Sequence, residues 1–214
     1  TYVAITSHVL STTTKTILAA MLVSAASAAV TGCAAQNEPA PGDDPRVDRV
    51  AQPIIKGVTS GTEHDSVVVL TTFQAGKRMA LCTATLVAPN LIVTARHCVS
   101  TTDGATACAQ DGSPVTGGGI SGTRVASSLV VFAGKNGQAP DTNVEANGVA
   151  HGKRVIVDSS TNVCNHDMAF VVLDKDVAAP VSPIRMAAPS PSETISAVGW
   201  GVDETGNLPT HREV

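Results

Sequence analysis

Beyond residue 54, the apolar residues occur in short runs and do not follow a helical period. The runs are rich in Val, Ile, Leu and Thr and are bounded by Gly, Pro, Asn, Asp or Ser, which is typical of β-strands. Seven runs are predicted as strands: residues 66–74, 79–88, 91–95, 128–133, 149–157, 168–173 and 195–198. Because no amphipathic helical stretch lies between them, the pattern predicts an all-β sandwich or barrel.

The segments between the predicted strands are of two kinds. Pro89-Asn90 is short enough to connect its flanking strands as a hairpin. Residues 101–124, rich in Gly, Thr and Ser, are predicted to be one long surface loop. Residues 34–53 combine Pro, Ala and charge without periodicity, so we expect a flexible linker or propeptide before the domain.

The N-terminal 33 residues have the pattern of an export signal. Lys15 precedes an apolar stretch, residues 17–30, that is too short to span a bilayer comfortably and fits the apolar core of a signal peptide. The stretch ends in Val-Thr-Gly-Cys at 30–33, which resembles the bacterial lipoprotein signal. The resemblance implies lipidation of Cys33, in preference to ordinary cleavage near Ala35. We therefore expect a secreted or cell-envelope protein that meets the membrane only through its lipid anchor.

Composition narrows the choice of function. Of the 214 residues, 43% are hydrophobic and 15% are charged, so the chain can bury a core. The net charge of −4 supplies no basic surface, and nucleic acid is therefore not expected as a partner. No cofactor motif is recognised. The histidines lack metal-ligand spacing, so no metal is expected either.

The sequence contains five cysteines. With Cys33 assigned to the anchor, Cys82, Cys98, Cys108 and Cys164 remain in the domain. An even number in an exported domain indicates two disulfides, and four cysteines allow three pairings. A zinc knuckle is not expected because no Cys-x-x-Cys pair occurs.

Five segments together suggest a family. In chain order they are IIKG at 54–57, CTATLV at 82–87, LIVTARHC at 91–98, NHDMAFVVL at 165–173 and VGWG at 198–201. Each resembles a motif of the trypsin-like serine proteases of the chymotrypsin fold, and they occur in the family's order. The resemblance covers nearly all of residues 54–214.

This resemblance implies a fold and two catalytic residues. Residues 54–214 would form a trypsin-like peptidase domain, a chymotrypsin-like double β-barrel whose first barrel is complete and whose second is incomplete. Ile54 would be the mature N-terminus of an activated zymogen. His97 would accept the proton of a serine nucleophile, and Asp167 would orient the imidazole. The expected substrate is a protein or peptide.

The resemblance also implies a Cys82–Cys98 disulfide, which would fix the turn that carries His97. Cys108 and Cys164 then remain to pair, tying the Gly-rich segment beside Asp167. A Cys82–Cys108 linkage would refute both assignments.

The sequence also departs from the family. Family members continue past Gly-Trp-Gly to a Gly-Asp-Ser-Gly-Gly type of motif that carries the nucleophile, and no such motif occurs in these 214 residues. The chain is therefore interpreted as a truncated protease that is inactive alone. Arg96 replaces the alanine usual beside the catalytic histidine, and we expect its side chain to turn outward to solvent.

Two other hypotheses stay open at this stage. A non-catalytic homologue could serve as a surface-anchored binding module, although an inert scaffold need not keep both His97 and Asp167. A disulfide-stabilised β domain unrelated to the family would place these two residues far apart.

Overall fold

The computed structural model describes residues 57–201. The predicted signal at 1–33 with Cys33, the linker at 34–53 and the mature N-terminus at Ile54 lie outside the described residues. Within the described range, the helices are all too short to cross a membrane.

The described residues form ten strands and one short α-helix. The strands are β1 Val67–Gln74, β2 Lys77–Ala88, β3 Leu91–Thr94, β4 Ser100–Thr102, β5 Ala107–Cys108, β6 Pro114–Thr116, β7 Ile120–Thr123, β8 Leu129–Phe132, β9 Ala150–Ile156 and β10 Ala169–Leu173. The helix α1 is Arg96–Val99, and single 3-10 turns occur at Thr62–His64, Ala126–Ser128 and Glu145–Asn147. This content confirms the all-β prediction.

Six strands close into an antiparallel barrel in the order β1–β2–β3–β10–β9–β8, with β8 returning to β1. Six of the seven predicted runs form these strands, with ends that differ by one or two residues. The hairpin at Pro89-Asn90 is confirmed, because β2 and β3 pair in antiparallel register on either side of it. The barrel corresponds to the complete first barrel that the sequence predicts.

Strands β1 and β8 are buried on both faces, which explains their uninterrupted apolar runs. Val68 and Leu70 of β1 belong to the core cluster that also contains Leu86, Ile92 and Val171, whereas Val67 and Val69 face a second cluster with Phe132 and Trp200. Trp200 is buried and its indole N–H donates to the Val67 carbonyl at 3.0 Å. The segment around Trp200 is therefore docked on the outer face of the barrel.

Two predictions about irregular segments are wrong. Residues 101–124 are not one loop, since β4 pairs with β7 and β5 pairs with β6 to form two small ribbons. Residues 195–198 are not a strand: in the described range no regular structure follows β10. A strand needs a neighbour for its backbone hydrogen bonds, and a short apolar run does not show whether one is present.

Candidate active site

His97 lies on α1, immediately after β3. The helix is a single turn and has no side-chain cap at Ala95, so it cannot be stable by itself. The disulfide between Cys98 and Cys82 of β2 fixes it to the barrel, with 6.2 Å between the two Cα atoms. The cysteine next to the histidine therefore fixes the backbone that carries the imidazole.

Asp167 reaches the same place through the register of β10. Ala169 at the start of β10 pairs with Thr94 at the end of β3 in antiparallel register. Moving forward from Thr94 and backward from Ala169 leads to the same edge of the barrel. Residues 97 and 167 therefore meet there, although seventy positions separate them in the chain.

The two side chains are in direct contact. The imidazole Nδ1 of His97 lies 2.7 Å from Oδ2 of Asp167, and the backbone N–H of His97 donates to Oδ1 at 2.8 Å. An ionised carboxylate only accepts hydrogen bonds, so Nδ1 is the donor in this contact, and in the neutral imidazole Nε2 is left with its lone pair. The side chains are 40% and 38% exposed, which leaves the pair open to a substrate at one side.

The pKa of Asp167 is lowered in the fold. Burial is the largest single influence and acts to raise the pKa of this carboxyl. The hydrogen bond and charge of His97, together with the backbone N–H groups of His97 and Arg96, outweigh burial and hold the pKa below its ordinary value of 3.8. The carboxylate is therefore ionised at neutral pH and can stabilise an imidazolium.

Arg96 does not turn outward to solvent, so that prediction is wrong. Its side chain is only 4% exposed and forms an ion pair with Asp158, while its Nη2 donates to the Ser160 carbonyl at 2.8 Å. The partner carboxylate lies 62 residues further along the chain. A charged side chain accepts burial when it gains a counter-charge and hydrogen bonds, and here both are present.

The second disulfide is also confirmed. Cys108 of β5 is bonded to Cys164, with 5.6 Å between the Cα atoms. The Gly-rich segment is also hydrogen-bonded to the residue before Cys164: the backbone N–H of Val163 donates to the Gly118 carbonyl at 2.9 Å. The segment is therefore fixed three residues before Asp167.

The site offers no thiolate to a metal. Cys82, His97 and Cys98 form a cluster with ligand atoms within 4.8 Å of one another. Both sulfurs belong to the Cys82–Cys98 disulfide, however, and a disulfide sulfur is not the thiolate that binds zinc.

The site holds two residues that the sequence interpretation missed. Asp158 and Ser160 were not recognised, because a carboxylate and a serine in a Ser/Asn-rich turn are ordinary surface features. The one sequence feature that could have indicated them was Arg96, a charged residue in a segment whose other residues up to His97 are mostly apolar or small.

A family model described as trypsin matches residues 54–213, most of the chain. The chain belongs to the trypsin family. The five motifs, their order and the contact between His97 and Asp167 are thus features of a trypsin-family chain.

Several solved structures are similar to this trypsin-family chain. Among them are the scabies mite inactivated protease paralogue S-D1 (14% identity, TM-score 0.49), HL collagenase (22%, 0.45) and GrC (16%, 0.44). Each alignment covers 75% of this chain and 60%, 60% and 63% of the respective structure, so the chain spans about three fifths of their length. A comparison with curated proteins gives no significant match.

Proposed function

We propose that the protein is a serine endopeptidase and that this chain supplies its general base and the carboxylate that orients it. The contact of 2.7 Å between His97 Nδ1 and Asp167 Oδ2 is the observation that carries the proposal. The contact holds the imidazole in one tautomer at an open edge of the barrel. Proton transfer from a serine hydroxyl requires an imidazole held in this way.

The reaction follows from this arrangement. A serine hydroxyl, which we expect from residues outside this sequence, attacks the carbonyl carbon of a peptide bond while its proton moves to Nε2 of His97. The imidazolium then gives that proton to the leaving amine as the C–N bond breaks. Water hydrolyses the acyl-enzyme by the same route. Asp167 stays ionised throughout and stabilises the imidazolium.

The active-site proposal is tested by labelling the full-length protein with a fluorophosphonate probe. His97→Ala is expected to slow labelling roughly 10⁴-fold, and Asp167→Asn by a similar factor because the imidazole would hold the wrong tautomer. His151→Ala is the matched control, since this histidine lies on β9 of the same barrel beside Glu145. If the wild type is not labelled, the protein is a non-catalytic member of the family. If His97→Ala, Asp167→Asn and His151→Ala are all labelled at the same rate, the role proposed for His97 as general base is wrong.

The cellular location is a further part of the proposal. The signal-like pattern at residues 17–33 supports export followed by lipidation of Cys33. On expression in a bacterium, we expect the protein to partition into detergent, and Cys33→Ala to move it to the aqueous phase. Partition that is the same for both proteins would contradict the anchor.

Activation is proposed to free Ile54 by cleavage after Pro53. Because Pro53 is not a basic residue, the activating protease must differ from trypsin in specificity. N-terminal sequencing of the active protein tests this, and a mature chain that begins elsewhere would contradict it.

A further inference from the structure

A charged cluster lies next to the His97–Asp167 pair. Asp158 forms an ion pair with buried Arg96, and its Oδ2 lies 2.6 Å from Nδ1 of His166. It also accepts the backbone N–H of Ser160 at 2.9 Å. We call Arg96, Asp158 and His166 the Asp158 cluster.

The position of the cluster in the chain connects it to the active site. Arg96 directly precedes His97, and His166 directly precedes Asp167. One carboxylate therefore binds the sequence neighbours of both members of the pair. Residues 158–167 hold α1 at two points, at Arg96 through Asp158 and at His97 through Asp167.

His97 is thereby flanked by two tethered residues. Cys98 on one side is bonded to Cys82, and Arg96 on the other side is bound to Asp158 and to the Ser160 carbonyl. The turn is also continuous with β3 and β4 and is bound to Asp167 at His97, but the Arg96 side of His97 has no covalent cross-link. The bonds from Arg96 to Asp158 and Ser160 hold that side, and small errors in the position of a catalytic group are costly for rate.

Asp158 also balances the charge of Arg96. A guanidinium is charged at any working pH, and here it is 96% buried one residue from the imidazole. Without a counter-charge it would disfavour the imidazolium that forms when His97 accepts a proton. The Ser160 N–H, the His166 hydrogen bond and the charges of His166 and Arg96 hold the pKa of Asp158 below its ordinary value, so the carboxylate is ionised at neutral pH.

We propose that Asp158 is a positioning residue for the catalytic pair, acting through Arg96 and His166. The inference rests on the proposed function for its kinetic consequence, while its structural consequence can be measured without catalysis.

The first test is nuclear magnetic resonance of the full-length protein. The Nδ1 proton of His97 is hydrogen-bonded to Asp167, which deshields it and protects it from water, so it is expected to give a low-field signal. In Asp158→Asn its exchange with water should be at least tenfold faster. Asp174→Asn is the matched control, because Asp174 likewise accepts a backbone N–H, from His151 at 2.8 Å, on the same barrel. Exchange in Asp158→Asn equal to that of wild type overturns the proposal.

The second test is kinetic, with a peptide substrate and the full-length protein. Asp158→Asn should lower kcat at least tenfold and change KM less than twofold, because a positioning residue affects the chemical step rather than substrate binding. In a background of Arg96→Ala with His166→Ala, the same substitution should change kcat less than twofold. An equal loss in both backgrounds would show that Asp158 does not act through these residues.

A third variant covers the case in which Asp158→Asn does not fold. Arg96→Ala with Asp158→Asn removes both charges and leaves no unpaired buried charge, so we expect it to fold. It still lacks the tether, and its His97 proton should exchange at least tenfold faster than in wild type. Wild-type exchange in this variant contradicts the proposal. An inactive wild type that keeps the signal would instead count against the proposed function alone.

Discussion

Substitution of Gly134 by alanine should displace Trp200 from the outer face of the barrel. A Cβ atom at position 134 would lie 2.4 Å from Cη2 of the indole and 2.6 Å from the carbonyl oxygen of Gln138. Real Cβ atoms do not approach other heavy atoms so closely, and the carbonyl is backbone that cannot rotate away. The φ angle of Gly134 lies outside the left-handed region, so the effect is steric.

The size of the effect has two bounds. If the indole shifts within its cluster and keeps its hydrogen bond to Val67, the loss is that of overpacking, about 1–3 kcal/mol of unfolding free energy. If the indole leaves the cluster altogether, the loss approaches that of deleting a buried tryptophan, about 3–5 kcal/mol. Because Trp200 is only 3% exposed and packs against Phe132, the value should lie above 1 kcal/mol in either case.

Fluorescence of the 214-residue chain measures the displacement directly, because Trp200 is its single tryptophan. Gly134→Ala should shift the emission maximum to longer wavelength and lower the urea midpoint. Gly122→Ala is the matched control, since a Cβ there has no described heavy atom within 4 Å, and its effect should stay within about 0.5 kcal/mol. If both variants show the same emission and midpoint, the docking of Trp200 on the barrel is wrong.

Further predictions concern the disulfides and the pH dependence of stability. Replacing both Cys82 and Cys98 by alanine should lower the unfolding free energy by about 3 kcal/mol, and replacing Cys108 and Cys164 by about 4 kcal/mol, as loop entropy requires for sequence separations of 16 and 56. The two loops do not overlap, so the losses should add in a urea titration of the fourfold variant; a marked departure from the sum would contradict this. The lowered pKa of Asp167 gives stability that is present above the ordinary value of 3.8 and is lost as the pH falls below it. Asp167→Asn should therefore lose less stability on acidification than wild type. If the unfolding free energies of the two proteins fall in parallel with pH, the lowered pKa of Asp167 is refuted.

The contrast between Arg96 and His97 shows how far local sequence information extends. The resemblance of the segments around His97 and Asp167 to the family's motifs predicts that the two residues meet, and the apolar runs beside them predict the strands that carry them. Nothing near Arg96 in the chain shows that Asp158 stands opposite it. An arginine next to a turn is usually solvated, and only a partner 62 residues away makes burial favourable.

The sequence by itself determined the strands of the barrel, the motifs that identify the family, and the residue types of the candidate active site. These features depend on local composition and on spacing along the chain. The tertiary structure decided the remainder: the burial of Arg96, the pairing of residues 101–124 into ribbons and the docking of Trp200 on β1 and β8. Each of these depends on which distant group supplies a counter-charge, a backbone partner or an apolar surface, and these neighbours are fixed only when the barrel closes.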